Sequence, residues 1–205
     1  MKEITNRVYV LESTKSAYCY LVMADEIVLI DTGLGFMGKA IIKELRDNQI
    51  QLADIKHIIL THYDLDHIGN IGMLQEMTGA TVWAGGEDIP YIMGEKHRPS
   101  FKKYIAMVIR PQKPNNIHVL NEREGVCGIK VVHTPGHTPG HVCLIYEDAL
   151  FTGDLVEEKN ERLISYPKNW NWDTTILLQS IEKIRHYSFK WVCVAHGKPI
   201  TRRDI

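Results

Sequence analysis

The chain has 205 residues, 44% hydrophobic and 24% charged, with a formal net charge of -1. This is the balance of one globular domain, 1–205, with a sizeable core, and it excludes a disordered chain, a collagen and a coiled-coil rod. The near-neutral charge argues against nucleic acid as a partner, no apolar run approaches a membrane span, and the polar start at residues 1–7 predicts no signal peptide.

Residues 7–11 alternate, 17–23 are β-rich, and 26–30 form a short apolar run of buried-strand type, so three strands open the chain. Asp25 and Glu26 suit a tight turn between the second and third. Asp31-Thr32-Gly33 breaks the run, and Ile41 and Leu45 among charged neighbours predict a helix to about Asp47. Residues 55–60 read as a buried strand, 61–67 as a polar loop, 68–77 as a helix with Ile71, Leu74 and Met77 inward, and 81–84 as another strand. Residues 86–116 hold four prolines and read as rim loops with one or two short helices. Strands follow near 129–133, 141–146, 149–152 and 191–194. A helix precedes the last, with Asp173 as its N-cap and Leu177, Ile181 and Ile184 as its apolar stripe. Strands and helices are mixed once in each half, which predicts two helix-covered sheets in an α/β sandwich. Cys19, Cys127, Cys143 and Cys193 form no CxxC pair. They read as reduced side chains, three of them in apolar strand-like runs, and a cytoplasmic location is the expectation.

Ten histidines are the one anomaly of composition. His62, Asp64, Asp66 and His67 place four metal-ligand types within six residues, directly after a strand. In extended backbone, residues i and i+2 point the same way, so His62 and Asp64 can meet one ion. A turn then re-aims Asp66 and His67 towards a second. The segment His133-Thr134-Pro135-Gly136-His137-Thr138-Pro139-Gly140-His141 is a sharply turned loop in which three histidines compete for a role. Asp154, freed by Gly153, and His196, followed by Gly197 and Pro199, each sit at a strand end. A rigid strand delivers a ligand to a loop each time.

These motifs, in this order from Asp31-Thr32-Gly33 to His196-Gly197-Lys198-Pro199, resemble the metallo-β-lactamase superfamily, in its glyoxalase II and lactonase-like branch. The resemblance spans about residues 8–199 and implies a four-layer αβ/βα sandwich. It implies two divalent metal ions: one held by His62, Asp64 and His137, the other by Asp66, His67 and His196, with Asp154 bridging. Asp31 would orient the ligand loop. His133 and His141 are left structural or adjacent to the ligands. His57, His97, His118 and His186 are left to surface or packing roles.

The family usually has histidine where this chain has Asp64. Three carboxylates, four neutral imidazoles, two dications and one hydroxide would together be neutral. An oxygen-rich set accepts iron or manganese as alternatives to zinc, which remains the favoured metal. The resemblance implies hydrolysis of an ester, thioester or lactone carbonyl of a small molecule by a metal-bridging hydroxide, with Asp154 between the ions and Asp66 carrying the proton to the leaving group. The alternative is an iron-dependent oxidoreductase acting on oxygen or sulfur species, because the family's flavin-linked diiron members carry a carboxylate at the Asp64 position. Export is not expected, which counts against a β-lactam. No glutathione-binding helical domain is expected after residue 199, which counts against a glutathione thioester. Tyr63 and Tyr166 are candidate oxyanion donors. Trp170 and Trp172 are either an apolar wall of the pocket or packing anchors for the next helix.

Overall fold

Residues 1–97 and 111–202 are described by a computed structural model, and counts below are of those residues. The first sheet runs β1 (Lys2–Thr5), β2 (Val8–Val10), β3 (Tyr20–Met23), β4 (Ile27–Ile30), β5 (Ile55–Ile59), β6 (Thr81–Ala84), β7 (His118–Val119). It is antiparallel from β1 to β4 and parallel from β4 to β7. The second sheet runs β14 (Ile200–Thr201), β13 (Trp191–Val194), β10 (Ala149–Gly153), β9 (Val142–Tyr146), β8 (Lys130–His133), with β10 and β13 parallel. A separate hairpin pairs β11 (Val156–Lys159) with β12 (Arg162–Ser165). The helices are α1 (Gly38–Asp47), α2 (Leu65–Ile68), α3 (Ile71–Thr78), α4 (Ile89–Ile92) and α5 (Thr174–Arg185).

Period-two alternation sorts the strand residues into layers. Leu21, Leu29, Ile58 and Val82 pack on Ile41 and Leu45 of α1 and on Ile71 and Leu74 of α3. Their neighbours Tyr20, Val22, Val28, Ile30 and Ile59 face Val131, Val142, Leu144 and Phe151 of the second sheet. The far face of that sheet, Val132, Cys143, Ile145 and Leu150, takes Leu177, Ile181 and Ile184 of α5. The result is a four-layer αβ/βα sandwich. Each of those α5 side chains contributes roughly 1.5–3 kcal/mol by burial. The Asp173 cap, which accepts from the Thr175 and Ile176 amides at 2.8 and 3.0 Å, adds about 1 kcal/mol. Packing therefore holds this helix more than capping does.

The structure departs from the sequence expectations in several places. β1, β7, the β11–β12 hairpin and β14 are additional strands, each short and polar or partly exposed. The expected 68–77 helix is two pieces, and α2 already contains Asp66 and His67. Met77 is 41% exposed, not inward. Counted from Ile71, the buried stripe is Leu74 and Thr78, and a residue six positions on falls off that face. Of the 86–116 segment, α4 is a short helix as expected, and 98–110 lie outside the described residues. The four cysteines are all unpaired, with Cys19, Cys143 and Cys193 buried.

Candidate metal centre

Parallel pairing places several strand exits at one edge of the sandwich. β4 exits into Asp31, β5 into Thr61 and His62, β10 into Asp154, and β13 into Ala195 and His196. The 134–141 loop, between β8 and β9, reaches the same edge: the Val142 amide donates to the Thr61 carbonyl at 3.0 Å. The Tyr18 amide donates to the Ala195 carbonyl at 2.8 Å, and the buried Tyr20 hydroxyl donates to the Val194 carbonyl. These bonds fix the His196 loop against the first sheet.

Asp31 sits at φ +61°, a left-handed conformation that costs a non-glycine residue about 1–3 kcal/mol. Its buried carboxylate accepts from the Thr61 amide, the Thr61 hydroxyl and Nδ1–H of His67, each at 2.8 Å. With its proton on Asp31, the Thr61 hydroxyl accepts from Nδ1–H of His62 at 3.0 Å. Both rings therefore present unprotonated Nε2 atoms inward in the neutral state. Asn171 does the same for His137: its Oδ1 accepts from Nδ1–H at 3.1 Å while its Nδ2 donates to the Tyr166 carbonyl.

Two groups of ligand atoms result, His62, Asp64, His137 and Asp154 in one, and Asp66, His67 and His196 in the other. Asp154 lies between them. Its Oδ2 is 3.7 Å from His62 Nε2 and 3.5 Å from His137 Nε2. Its Oδ1 is 3.3 Å from both His67 Nε2 and His196 Nε2. Asp66 Oδ2 is 3.3 Å from His196 Nε2, and Asp64 Oδ2 is 3.0 Å from His137 Nε2 and 3.9 Å from His62 Nε2. Two ligands of one tetrahedral zinc are about 3.3 Å apart, given bonds of about 2.0–2.1 Å.

The residues fit a pair of cations. Nε2 of His62, His67 and His196 and Oδ1 of Asp154 are buried without a hydrogen-bond partner among the described residues. Such atoms are costly unless something positive lies between them. The electrostatics point the same way. Burial alone pulls the His67 imidazole down, but Asp154, Asp31 and Asp66 outweigh it and hold it well above the usual histidine range. His196 is treated likewise: burial opposes, Asp154 and Asp66 prevail, and its imidazole is held up at about 10. Burial opposes ionisation of Asp154 too, yet His67, His196 and His62 keep it well below the usual carboxylate range. His62 is pushed well down, by burial first and then by the other histidines. The negative charge of the carboxylates thus recruits protons where a dication is absent.

Tyr63 is not at the cleft. It is 1% exposed, and its ring stacks on Tyr91 with centroids 4.6 Å apart. The alternation that aims His62 and Asp64 at one ion sends Tyr63 the opposite way. Tyr166 is placed at the centre, with its ring 4.7 Å from His137 and 5.6 Å from His196. Burial, then Asp154 and Asp66, push its hydroxyl well above the usual tyrosine range, so it keeps its proton. Trp170 and Trp172 are 41% and 49% exposed.

Three supporting residues emerge only from the structure: Asn171, Thr61 and Asp88. The Asp88 carboxylate is fully buried; burial raises it to about 7 against three hydrogen bonds that lower it. His141 is also fully buried, and burial drives its imidazole down to about 3. Its Nδ1–H faces the Thr134 hydroxyl at 2.9 Å and its Nε2 accepts the Asp154 amide at 3.2 Å, so it fixes the Asp154 backbone. His133 is half-buried, with its amide on Glu122. His97, His118 and His186 are exposed. A separate cluster of Glu26, His57 and Cys127 has ligand types within reach of one another. Trp83 closes it to a metal. Its Nε1–H donates to His57 Nδ1 at 3.0 Å, so His57 Nε2 carries the proton shared with Glu26 at 2.7 Å.

The sequence profile described as Metallo-beta-lactamase superfamily matches residues 14–196. Probable metallo-hydrolase YflN of Bacillus subtilis (strain 168) is 28% identical over 204 residues, covering 86% of this chain and 77% of that protein. A hydroxyacylglutathione hydrolase of Shewanella halifaxensis (strain HAW-EB4) is 30% identical over 151 residues, 74% of this chain but only 47% of that protein. A metallo-beta-lactamase from Cronobacter sakazakii, a variant in its HARLDQ motif, superposes with a TM-score of 0.76 at 19% identity, covering 95% and 79% of the two chains. TTHA1623 in a di-iron-bound form superposes with a TM-score of 0.72 at 25% identity, covering 90% and 89%. Among the described residues, no helix is long and apolar enough to cross a membrane.

Proposed function

This chain belongs to the metallo-β-lactamase superfamily, and from that premise we propose that it is a dinuclear metal-dependent hydrolase acting on the ester, thioester or lactone carbonyl of a small molecule. The observation that carries the reading is Asp154, with one carboxylate oxygen facing each group of histidines. His62, Asp64 and His137 hold one ion in this reading, Asp66, His67 and His196 the other, and Asp154 both. Zinc is the favoured metal, with iron or manganese as alternatives.

Two dications held by these residues would supply hydroxide at neutral pH and Lewis acidity towards a carbonyl. The chain's own residues do the rest. Asp31, Thr61 and Asn171 hold the imidazoles in the ligating tautomer. Tyr166, protonated and beside Asp154, donates a hydrogen bond to the substrate oxygen that gains charge. Asp66 is the most open of the three carboxylates, with 28% of its side chain exposed against 10% for Asp64 and 1% for Asp154. Its Oδ1 carries a proton to the leaving oxygen or sulfur. Trp170 and Trp172 give the acyl or alcohol part an apolar wall.

Metal analysis of protein purified without added metal, followed by a screen of aryl ester, thioester and lactone substrates with zinc, iron and manganese separately reconstituted, tests this reading. Two ions per chain and metal-dependent hydrolysis are expected. A metal-free preparation that still turns over sinks it. Asp64 and the di-iron relative favour one second reading, an iron-dependent oxidoreductase acting on oxygen or sulfur species; oxygen uptake without hydrolysis selects it.

A further inference from the structure

Asp88 lies outside every motif, yet its carboxylate joins the two segments that carry the ligands of the first ion. Oδ2 accepts the Tyr63 amide at 3.1 Å and the Thr138 hydroxyl at 2.6 Å, and Oδ1 accepts the Gly140 amide at 2.7 Å. Tyr63 stands between His62 and Asp64, and Thr138 follows His137. The backbones are in contact around this clasp. A Cβ on Gly85 would fall 1.9 Å from the Gly140 carbonyl oxygen, and one on Gly140 would fall 2.5 Å from the Asp88 amide nitrogen. Tyr91, three residues on, completes the grip by stacking on Tyr63 at 4.6 Å. By contrast Asp31 serves His67 and, through Thr61, His62.

We propose that Asp88 is the positioning residue of the first ion's pocket: one buried carboxylate sets the separation of the His62–Asp64 segment from His137. The inference rests on the dinuclear reading above. A carboxylate accepting three hydrogen bonds across two loops is a stiffer link than any single backbone bond between them. A pocket whose ligands must meet one ion at bonds of about 2 Å tolerates little slack in that link.

The test is stepwise zinc binding by the full chain, measured by chelator competition, with histidine side-chain NMR to report which rings respond. The wild type is expected to bind two ions. Asp88→Asn leaves one at wild-type affinity, sensed by His67 and His196, and weakens the one sensed by His62 and His137 by roughly 10–100-fold. Thr138→Val, which removes one bond and keeps the carboxyl group, weakens the same ion less; it decides alone if Asp88→Asn does not fold. Leu45→Ala, a core change in α1, serves as the stability control and leaves both affinities unchanged. Unchanged binding in the Asp88 and Thr138 variants, equal weakening of both ions, or the same selective loss in Leu45→Ala overturns the inference and leaves the dinuclear reading standing. A wild type that fails to bind two ions overturns that reading, and the inference with it.

Discussion

Asn171 Oδ1 accepts a hydrogen bond from Nδ1 of His137 at 3.1 Å, which turns the other ring nitrogen towards Asp64, 3.0 Å away. With its proton on Nδ1, that nitrogen and the Asp64 oxygen are both acceptors, and only a proton or a cation reconciles them. Asn171→Ala should therefore weaken zinc binding at that group by roughly 10–100-fold, and Asn171→Asp should restore most of it. Chelator competition reads both. Equal affinities in all three proteins would remove the orienting role.

Metal uptake should release protons. The imidazoles of His67 and His196 are raised, the latter to about 10, so both hold protons at neutral pH in the metal-free chain. A dication must displace them, so apparent affinity rises with pH up to about 10. The stability of the metal-free protein moves the other way. A raised folded-state value contributes fully below about pH 6.5 and is lost as pH climbs through about 10. Calorimetry in buffers of different ionisation enthalpy measures the release; heats independent of buffer contradict it.

Tyr166→Phe should lower kcat by about 10²-fold, the scale of one lost oxyanion donor. Zinc content should be unchanged, because Tyr166 holds no metal in this reading. Trp170→Ala should instead raise KM with little change in kcat, as expected for a wall that binds ground state and transition state alike. Steady-state kinetics with the best substrate of the screen separates the two; a kcat defect in the tryptophan variant would place it nearer the reacting atoms.

Chelation should lower the thermal midpoint. Metal at about 100 times its Kd stabilises by about 2.7 kcal/mol per site. For a chain of this size that is roughly 5–10 °C. A scanning experiment with and without chelator measures it, and re-addition of zinc should recover the loss.

The layers were legible in the sequence because alternation marks each buried strand: Leu21 and Leu29 go one way, Tyr20, Val22, Val28 and Ile30 the other. β1 and β12 left no such mark. Their residues, among them Lys2, Glu3, Arg162 and Ser165, are mostly exposed at the margin of the fold, where backbone pairing needs no apolar face. The ligand types were legible because four of them crowd one loop. Asp88 and Asn171 were not, being lone polar residues whose partners lie 25 and 34 positions away at Tyr63 and His137. The Tyr63 hydroxyl invites an oxyanion role, but the alternation that aims His62 and Asp64 turns its ring onto Tyr91.

The two sheets divide the ligands unequally along the chain. His62, Asp64, Asp66 and His67 follow β5, while His137, Asp154 and His196 arrive with the second sheet. A growing polypeptide therefore has no complete pocket until synthesis passes Asp154, and no second one until it reaches His196. If the centre takes up metal as proposed, loading follows the arrival of both halves, and an occupied centre would certify that they have mated.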